Sequence, residues 1–216
     1  MACRAGYCAA ETQFGGKRAE QDLRRYRRRG ADLTTRLLLE ELQRQPLEGR
    51  RLLDVGGGIG VISAELADTG VASVTMVEAS PAYLEVARRE VGSRYGSRLT
   101  QFILGDFAAV ADTVPKADVV TLDRVVCCYP DGETLLRKAA ERTLHLLAFT
   151  YPRDRWHVRM MIALENFWRR LTANKFRAFV HLPPRMEAVL EVAGLVRAMR
   201  RETLVWVVEL YRREEV

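Results

Sequence analysis

The sequence lacks any uninterrupted apolar run of the roughly 18 residues that a membrane-spanning helix requires. Its first residues, MACRAGYCAAETQFGGKR, also lack the apolar stretch of a secretory signal. Both absences predict a protein that has no membrane partner and stays in the cytoplasm. With 216 residues, 48% of them hydrophobic and 29% charged, the composition is that of a globular enzyme, and we expect one domain over residues 1–216.

Histidine and cysteine are scarce, with three and four copies respectively. Cys3 and Cys8 are spaced C-x4-C, but no second pair with the spacing of metal ligands follows them, so no metal site is predicted. Cys127 and Cys128 are adjacent, and adjacent cysteines rarely form a disulfide with each other. We therefore expect four free thiols.

Acidic side chains are outnumbered by basic ones, 28 to 34, which gives a net charge of +6. Much of the excess lies between Lys17 and Arg29, around Tyr26. Such a segment either attracts an anionic substrate or a nucleic acid, or it is a solvated helix face with Tyr26 turned inward. We expect a mixture in which this helix covers an active site and Tyr26 contacts the cofactor. A nucleic-acid partner is the less favoured interpretation.

Strands and helices alternate along the middle of the chain. The pattern predicts strands at 51–55, 73–77, 100–104, 118–122 and 144–150, and helices at 59–68, 81–91 and 131–143. It continues with a helix over 155–171, an extended piece at 176–181, a helix over 185–193 and two terminal strands at 195–200 and 203–211. This alternation indicates an α/β fold with a doubly wound, mostly parallel sheet and a ligand site at the carboxyl ends of its strands.

The run LLDVGGGIG, residues 52–60, carries the strongest chemical signal. A strand leads directly into glycines and then into a helix, and glycine is required where backbone closely approaches a ligand or takes a positive φ. The first amides of the helix face that ligand. We therefore predict ligand contacts at Gly56, Gly57 and Gly58.

Four acidic residues lie at or just after the ends of predicted strands: Asp54, Glu78, Asp106 and Asp123. Each alone is equally well explained as a helix cap or a solvated turn. Together they indicate a cationic ligand rich in hydrogen-bond donors, because unpaired carboxylates are costly in a packed core. S-adenosylmethionine (SAM) has a sulfonium, an ammonium, a ribose and an adenine. We expect Glu78, beside Ala79, to bind the ribose hydroxyls and Asp106 to accept from the adenine amine, with Phe107 packed on the ring.

A dinucleotide is the competing ligand. The glycines at 56, 58 and 60 have the spacing G-x-G-x-G, and Val61 stands where the dinucleotide motif needs a small residue. A second frame, from Gly58 to Ser63, reads G-x-G-x-x-S and stays open. Asp54 would repel a pyrophosphate.

With LLDVGGGIG, VTMVEAS, LGDF and VVTLDRV, the chain resembles the class I SAM-dependent methyltransferases from about Gly49 to Thr150. The resemblance implies a seven-stranded sheet whose last strand is antiparallel, with SAM as cofactor. It also implies N-terminal cover helices over about 17–45 and a lid insertion over about 151–182. The cofactor contacts that it implies are Gly56, Gly58, Glu78, Asp106, Phe107 and the neighbourhood of Asp123.

The methyl acceptor is less well specified. His181 is either a general base or a histidine that fixes its loop, and Tyr129 is the other candidate catalytic residue. The Tyr129-Pro130 pair is distantly similar to the magnesium-protoporphyrin O-methyltransferases, which methylate a carboxylate. Arg153 and Arg155, with the basic N-terminal helix, favour an anionic acceptor.

These features lead to one functional hypothesis, a SAM-dependent methyltransferase acting on a small molecule at oxygen. Three alternatives stay open. They are a SAM-binding RNA-associated protein or RNA methyltransferase, a nicotinamide-dependent oxidoreductase, and an enzyme that methylates a metalloid through the four thiols. The sequence does not specify the oligomeric state.

Overall fold

The computed structural model describes residues 13–95 and 100–214. The strands are β1 (Arg51–Val55), β2 (Ser73–Glu78), β3 (Thr100–Leu104), β4 (Ala117–Leu122), β5 (Thr143–Pro152), β6 (Leu195–Glu202) and β7 (Trp206–Arg213). The helices are α1 (Gly16–Arg29), α2 (Leu33–Gln43), α3 (Val61–Glu65), α4 (Pro81–Tyr95), α5 (Phe107–Val110), α6 (Gly132–Arg142), α7 (Trp156–Leu171) and α8 (Pro183–Val192). Cys3 and Cys8 lie outside the described residues.

The strands form one sheet in the order β3-β2-β1-β4-β5-β7-β6. β1 to β5 are parallel, and β7 runs antiparallel between β5 and β6. Strand order reverses between β1 and β4, and this reversal opens a crevice at the carboxyl ends of the strands. The expected doubly wound sheet of seven strands with an antiparallel last strand is confirmed.

Helices cover both faces of the sheet because successive strand residues point to opposite sides. Leu53 and Val120 pack in one hydrophobic cluster with residues of α6 and α8. Leu52 and Val119 pack in a second cluster with residues of α2 and α3. All six residues of β4 are buried, as expected of a central strand that is covered on both faces.

Helix boundaries follow local chemistry. α4 begins where the sequence predicts, because the Ser80 hydroxyl accepts a hydrogen bond from the Tyr83 amide at 3.3 Å. α8 is followed by Gly194 at φ +74°, the predicted terminating glycine. α3 is shorter than predicted and is followed by a 3-10 turn at Ala67–Thr69.

One further local prediction differs from the structure, and two short elements have no counterpart in the predicted pattern. Residues 176–181 form no strand, and the Phe179 amide instead donates to the carbonyl of Cys127 at 2.8 Å. The sequence gives no periodic signal for α5 or for the 3-10 turn at Val126–Cys128, because four and three residues are too few for a helical period.

Two segments lie over the carboxyl edge of the sheet. α1 packs Ala19, Leu23 and Tyr26 against Ile59 and Tyr83. The second segment follows β5 and contains α7. Across residues 13–95 and 100–214, no helix has the length and apolar character needed to cross a membrane.

Candidate functional site

A cavity of about 690 Å³ opens at the carboxyl edge of the sheet. The ends of β1, β2, β4 and β5 and the loop after β3 all contribute to its wall. Each of the predicted cofactor-binding residues lines it: Tyr26, Asp54, Gly56, Gly57, Gly58, Glu78, Ala79, Asp106, Phe107 and Asp123. The structure therefore brings together side chains from distant parts of the chain.

The glycine turn after β1 adopts backbone that other residues avoid. Gly56 and Gly58 both have φ +60°. A Cβ atom on Gly56 would lie 2.6 Å from a methyl group of Val125. A Cβ on Gly58 would meet nothing nearer than a Tyr83 ring carbon at 3.8 Å, so the backbone of Gly58 is open to the cavity.

Asp54 supports this turn from below. Its carboxylate is completely buried and accepts hydrogen bonds from the hydroxyls of Ser63 and Thr121, both at 2.8 Å. Burial raises the pKa of Asp54 to about 6, although both hydrogen bonds favour the charged form. A Cβ on Gly57 would lie 2.6 Å from one oxygen of Asp54. The contacts of Asp54 are therefore with the protein beneath the turn.

Glu78 ends β2 and faces the cavity. One carboxylate oxygen accepts from the Gly58 amide at 2.9 Å, and the other accepts from the Ser80 amide at 2.7 Å. Two carboxylate oxygens have about four lone-pair positions, so acceptor capacity remains for a ligand. Burial raises the pKa of Glu78 to about 7, against the effect of the backbone amides of Gly58, Ala79 and Ser80.

Asp106 and Tyr129 meet at the cavity beside the end of β3, the strand next to β2. One oxygen of Asp106 caps α5 by accepting from the Ala108 amide at 3.1 Å. The other accepts from the phenol of Tyr129 at 3.2 Å. Phe107 follows Asp106, is 5% exposed and packs in the hydrophobic cluster beside the cavity.

Asp123 lies in a network that sequence reasoning missed. Its two oxygens accept from the hydroxyls of Thr35 on α2, at 2.6 Å, and Thr150 on β5, at 2.7 Å. The following residue, Arg124, has φ +58° and its guanidinium pairs with Asp32. No local pattern signals this arrangement, because Thr35 lies 88 positions before its partner in the chain.

Tyr26 is 9% exposed, and its phenol donates to Glu65 at 2.6 Å. The phenol of Tyr83 likewise donates to Asp22 of α1, at 2.6 Å. The two hydrogen bonds attach α1 to the rest of the domain from both directions. The predicted inward orientation of Tyr26 agrees with this geometry, and α1 forms one wall of the cavity.

His181 does not line the cavity. Its Nε2 lies 3.0 Å from the carbonyl oxygens of both Val126 and Tyr129, and its ring packs against Gly132. This geometry favours the alternative in which the histidine fixes its loop, and it gives no support to a general base. Cys127 and Cys128 are free thiols with their sulfur atoms 3.8 Å apart.

The arginines on the acceptor side differ from those expected. Arg153 pairs with Glu202, and neither it nor Arg155 lines the cavity, so the structure gives these two arginines no contact with an acceptor there. The lining arginines include Arg18, Arg25 and Arg169. Among residues 13–95 and 100–214, no group of three or more histidine, cysteine or acidic side chains is placed to hold a metal ion.

Comparison with known proteins agrees with this geometry. Residues 25–123 match the family model of the methyltransferase small domain. The chain is 37% identical to ribosomal protein L11 methyltransferase of Deinococcus radiodurans over 35% of its length, and 36% identical to ubiquinone biosynthesis O-methyltransferase of Methylocella silvestris over 49%. These matches span 29% and 45% of the two relatives, so the chain covers less than half of either.

The crystal structure of magnesium protoporphyrin IX methyltransferase from Synechocystis, solved with bound SAH, superposes on 97% of this chain and 100% of its own with a TM-score of 0.74. The two chains are 15% identical, so this likeness concerns the fold. The strand order and the cavity at the strand ends agree with a methyltransferase fold, and residues 25–123, a little under half of the chain, match the methyltransferase small domain.

Proposed function

We propose that this protein is a SAM-dependent methyltransferase that modifies a small molecule at oxygen. The observation that carries the proposal is the carboxylate of Glu78, which is nearly buried and faces the cavity with acceptor capacity left over. A vicinal diol, as in a ribose, supplies the two hydroxyl donors that such a carboxylate lacks.

The described residues fit the rest of SAM as well. The cavity has the volume of a small-molecule site. The open backbone at Gly58 suits close approach of the amino-acid end, and Asp106 suits the adenine amine. Asp54 contributes by supporting the turn from beneath, and Tyr26 closes the site from α1.

When bound, SAM supplies an electrophilic methyl group on a positively charged sulfur. The protein then contributes chiefly alignment and exclusion of water. Asp123 and Thr35 hold α2 against the sheet, while Met161 and Ile162 of α7 close the other side of the cavity. None of the three histidines, all of which are described, lines the cavity. An acceptor that is already anionic at oxygen, such as a carboxylate or phenolate, needs no general base.

Two of the arginines that line the cavity also support an anionic acceptor. Arg18 lies over the Phe14 ring, with its guanidinium carbon 6.0 Å from the centroid. The Nη2 atom of Arg25 lies 4.0 Å from a carboxylate oxygen of Asp22 and 4.0 Å from one of Asp32, which is the outer limit of an ion pair. Both guanidiniums are thus placed to meet a carboxylate. The similarity to a ubiquinone biosynthesis O-methyltransferase supports an oxygen acceptor.

Calorimetric titration with SAM, S-adenosylhomocysteine and NADH tests the cofactor. We expect binding of the first two and none of NADH, and NADH binding without SAM binding would overturn the proposal. Transfer of labelled methyl from SAM to a panel of carboxylates, phenols, short RNAs and ribosomal protein L11 then tests the acceptor. Label in a carboxylate or phenol supports the proposal, whereas label confined to RNA or protein contradicts it.

An RNA acceptor is the second candidate, because α1 presents exposed arginines at Arg24, Arg28 and Arg29. Neutralising these three side chains to glutamine separates the alternatives. RNA methylation would fall steeply and lose its salt dependence, whereas methylation of a small acceptor would change little.

A further inference from the structure

The outer face of α7 is apolar and uncovered. Exposed fractions range from 55% to 74% for the residues of this outer stripe: Trp156, Met160, Leu164, Phe167, Trp168 and Leu171. Large apolar side chains seldom cluster on a surface unless something covers them. Their spacing of mostly three and four residues aligns them on one side of the helix.

The opposite face of α7 belongs to the domain. Val158 and Ile162 are 1% and 7% exposed, and Ile162 lines the cavity. Met161 is 39% exposed and also lines the cavity, so it borders both the cavity and the outer stripe. The exposed stripe is therefore a surface of a helix that is fixed in place by its other side.

Cations surround the stripe. Three exposed cations flank it, Arg155 at its start and Arg170 and Lys175 at its end. None of the three forms a salt bridge with an acid among residues 13–95 and 100–214. The acids in this region have other partners: Asp154 pairs with Arg159, and Glu165 pairs with Arg169. The stripe thus carries exposed positive charge at both ends.

This distribution of charge disfavours a second copy of the chain as the partner. Two α7 helices packed antiparallel about a two-fold axis would bring Arg155 of one copy near Arg170 of the other. Like charges at both ends of such an interface repel. An anionic surface, in contrast, meets every exposed cation with a charge of opposite sign.

We propose that α7 docks on the surface of a lipid bilayer that contains anionic headgroups. Tryptophan, phenylalanine and leucine on one face, bordered by arginine, are the composition of a helix that lies in the membrane interface. The apolar side chains enter the boundary between headgroups and acyl chains, while Arg155 and Arg170 contact the phosphates. This proposal departs from the expectation of no membrane partner. That expectation rested on the lack of a membrane-spanning run and of a secretory signal, and neither excludes binding to the membrane surface.

Docking would also affect the acceptor, a consequence that rests on the proposed function. Because Met161 joins the stripe to the cavity, a docked molecule would present the acceptor side of the cavity to the bilayer. An amphiphilic acceptor with an apolar body and an anionic oxygen could then enter without crossing water. Docking itself requires no methyl transfer and is testable separately.

Co-sedimentation with vesicles tests docking. The full-length protein is mixed with neutral phosphatidylcholine vesicles and with vesicles in which a third of the lipid is phosphatidylglycerol. We expect the wild type to bind the anionic vesicles. The variant W156Q/W168Q should bind them at least about tenfold more weakly. R155Q/R170Q should also lose about tenfold on anionic vesicles and nothing on neutral ones. Val192, 91% exposed on α8, provides the matched control V192Q, which should bind as the wild type does.

Circular dichroism melting checks that each variant is folded. Equal binding by the wild type and W156Q/W168Q would overturn the proposal, as would no binding to anionic vesicles. A wild-type dimer in sedimentation velocity that W156Q/W168Q converts to a monomer would also overturn it, in favour of a second copy. If vesicles bind but SAM does not, the proposed function fails while the docking inference stands.

Discussion

The carboxylate of Glu78 accepts a hydrogen bond from the backbone amide of Gly58, with 2.9 Å between the two atoms. This contact joins the end of β2 to the glycine turn after β1, so the proposed ribose and amino-acid ends of the cofactor site share one fixed geometry. It also leaves a buried carboxylate whose pKa is raised to about 7 by burial.

We therefore expect the affinity for S-adenosylhomocysteine to fall as the pH drops below about 7. Ribose hydroxyls donate to the ionised carboxylate, so binding lowers the pKa of Glu78 and releases a proton. The loss should approach tenfold for each pH unit. Titration calorimetry in two buffers of different ionisation enthalpy measures both the affinity and the released proton, and a flat affinity between pH 5 and 8 would contradict this role.

Glu78→Gln should weaken S-adenosylhomocysteine binding about 10- to 100-fold and remove its pH dependence. One amide oxygen cannot serve both backbone donors and the ligand, and hydrogen bonds to charged groups contribute about 1.5–3 kcal/mol. The exposed Glu85 of α4 provides the control E85Q, which should bind as the wild type does. Equal affinities of E78Q and wild type would place the ribose elsewhere.

Alanine substitutions separate the two roles of the glycine turn. At Gly57 a methyl group would lie 2.6 Å from a buried oxygen of Asp54, so we expect G57A to lose about 1–3 kcal/mol of unfolding free energy. At Gly58 the space is open, and G58A should lose about 1–2 kcal/mol from the positive φ while also weakening ligand binding. A Cβ atom added at Gly92 in α4 would meet no other atom within 4 Å, so G92A should be neutral or stabilising. Urea unfolding and calorimetry report the two effects separately.

Asp54 makes the stability of the ligand-free protein depend on pH. Its pKa is about 6 in the folded state and near its ordinary value of 3.8 when unfolded, so the folded state binds more protons between those values. Stability from this group therefore decreases as the pH rises from about 4 to 6. Asp54→Asn should reduce that slope. As the pH rises from about 4 to 6, the free energy of unfolding of D54N should increase by on the order of 3 kcal/mol relative to that of the wild type. Exposed Asp68→Asn is the control, and parallel curves for D54N and wild type would contradict this dependence.

Substitution of His181 should change stability and leave the chemistry intact. Its Nε2 contacts two carbonyl oxygens of the loop after β4, so H181Q should lose about 1–2 kcal/mol of unfolding free energy. The shape of the pH–rate profile should match that of wild type and of H145Q, which alters a half-exposed histidine on β5. If a folded H181Q instead turned over about two orders of magnitude more slowly, the histidine would be a general base.

Local patterns suffice for part of this molecule. The strand-to-glycine run at 52–60 and the acid that ends β2 can be predicted because each depends on neighbours in sequence and on the regular alternation of parallel strands. The confirmed fold class follows from the same alternation. The placement of Glu78 and Asp106 on one cavity agrees with the prediction, and their roles toward a ligand stay predictions.

The rest depends on contacts between distant segments. Asp123 appears in the sequence only as an acid after a strand, while its partners Thr35 and Thr150 lie 88 and 27 positions away. The left-handed backbone of Arg124 has no glycine to signal it. In the sequence, His181 has no visible partner and is therefore a candidate general base. In the structure its ring is held by carbonyl oxygens of the 3-10 turn at Val126–Cys128 and of the next residue, and a turn of three residues is too short to be predicted.

The cavity has a floor and a roof that come from different stretches of chain. The floor is built by the strand ends between Val55 and Asp123, and the roof by α1, α2 and the segment from α7 to Ala178. Under the proposed function, the floor would hold most of SAM, and changes confined to α7 would alter the accepted compound while that floor stays unaltered. A chimaera that keeps this floor beneath the α7 segment of a known methyltransferase would test that division.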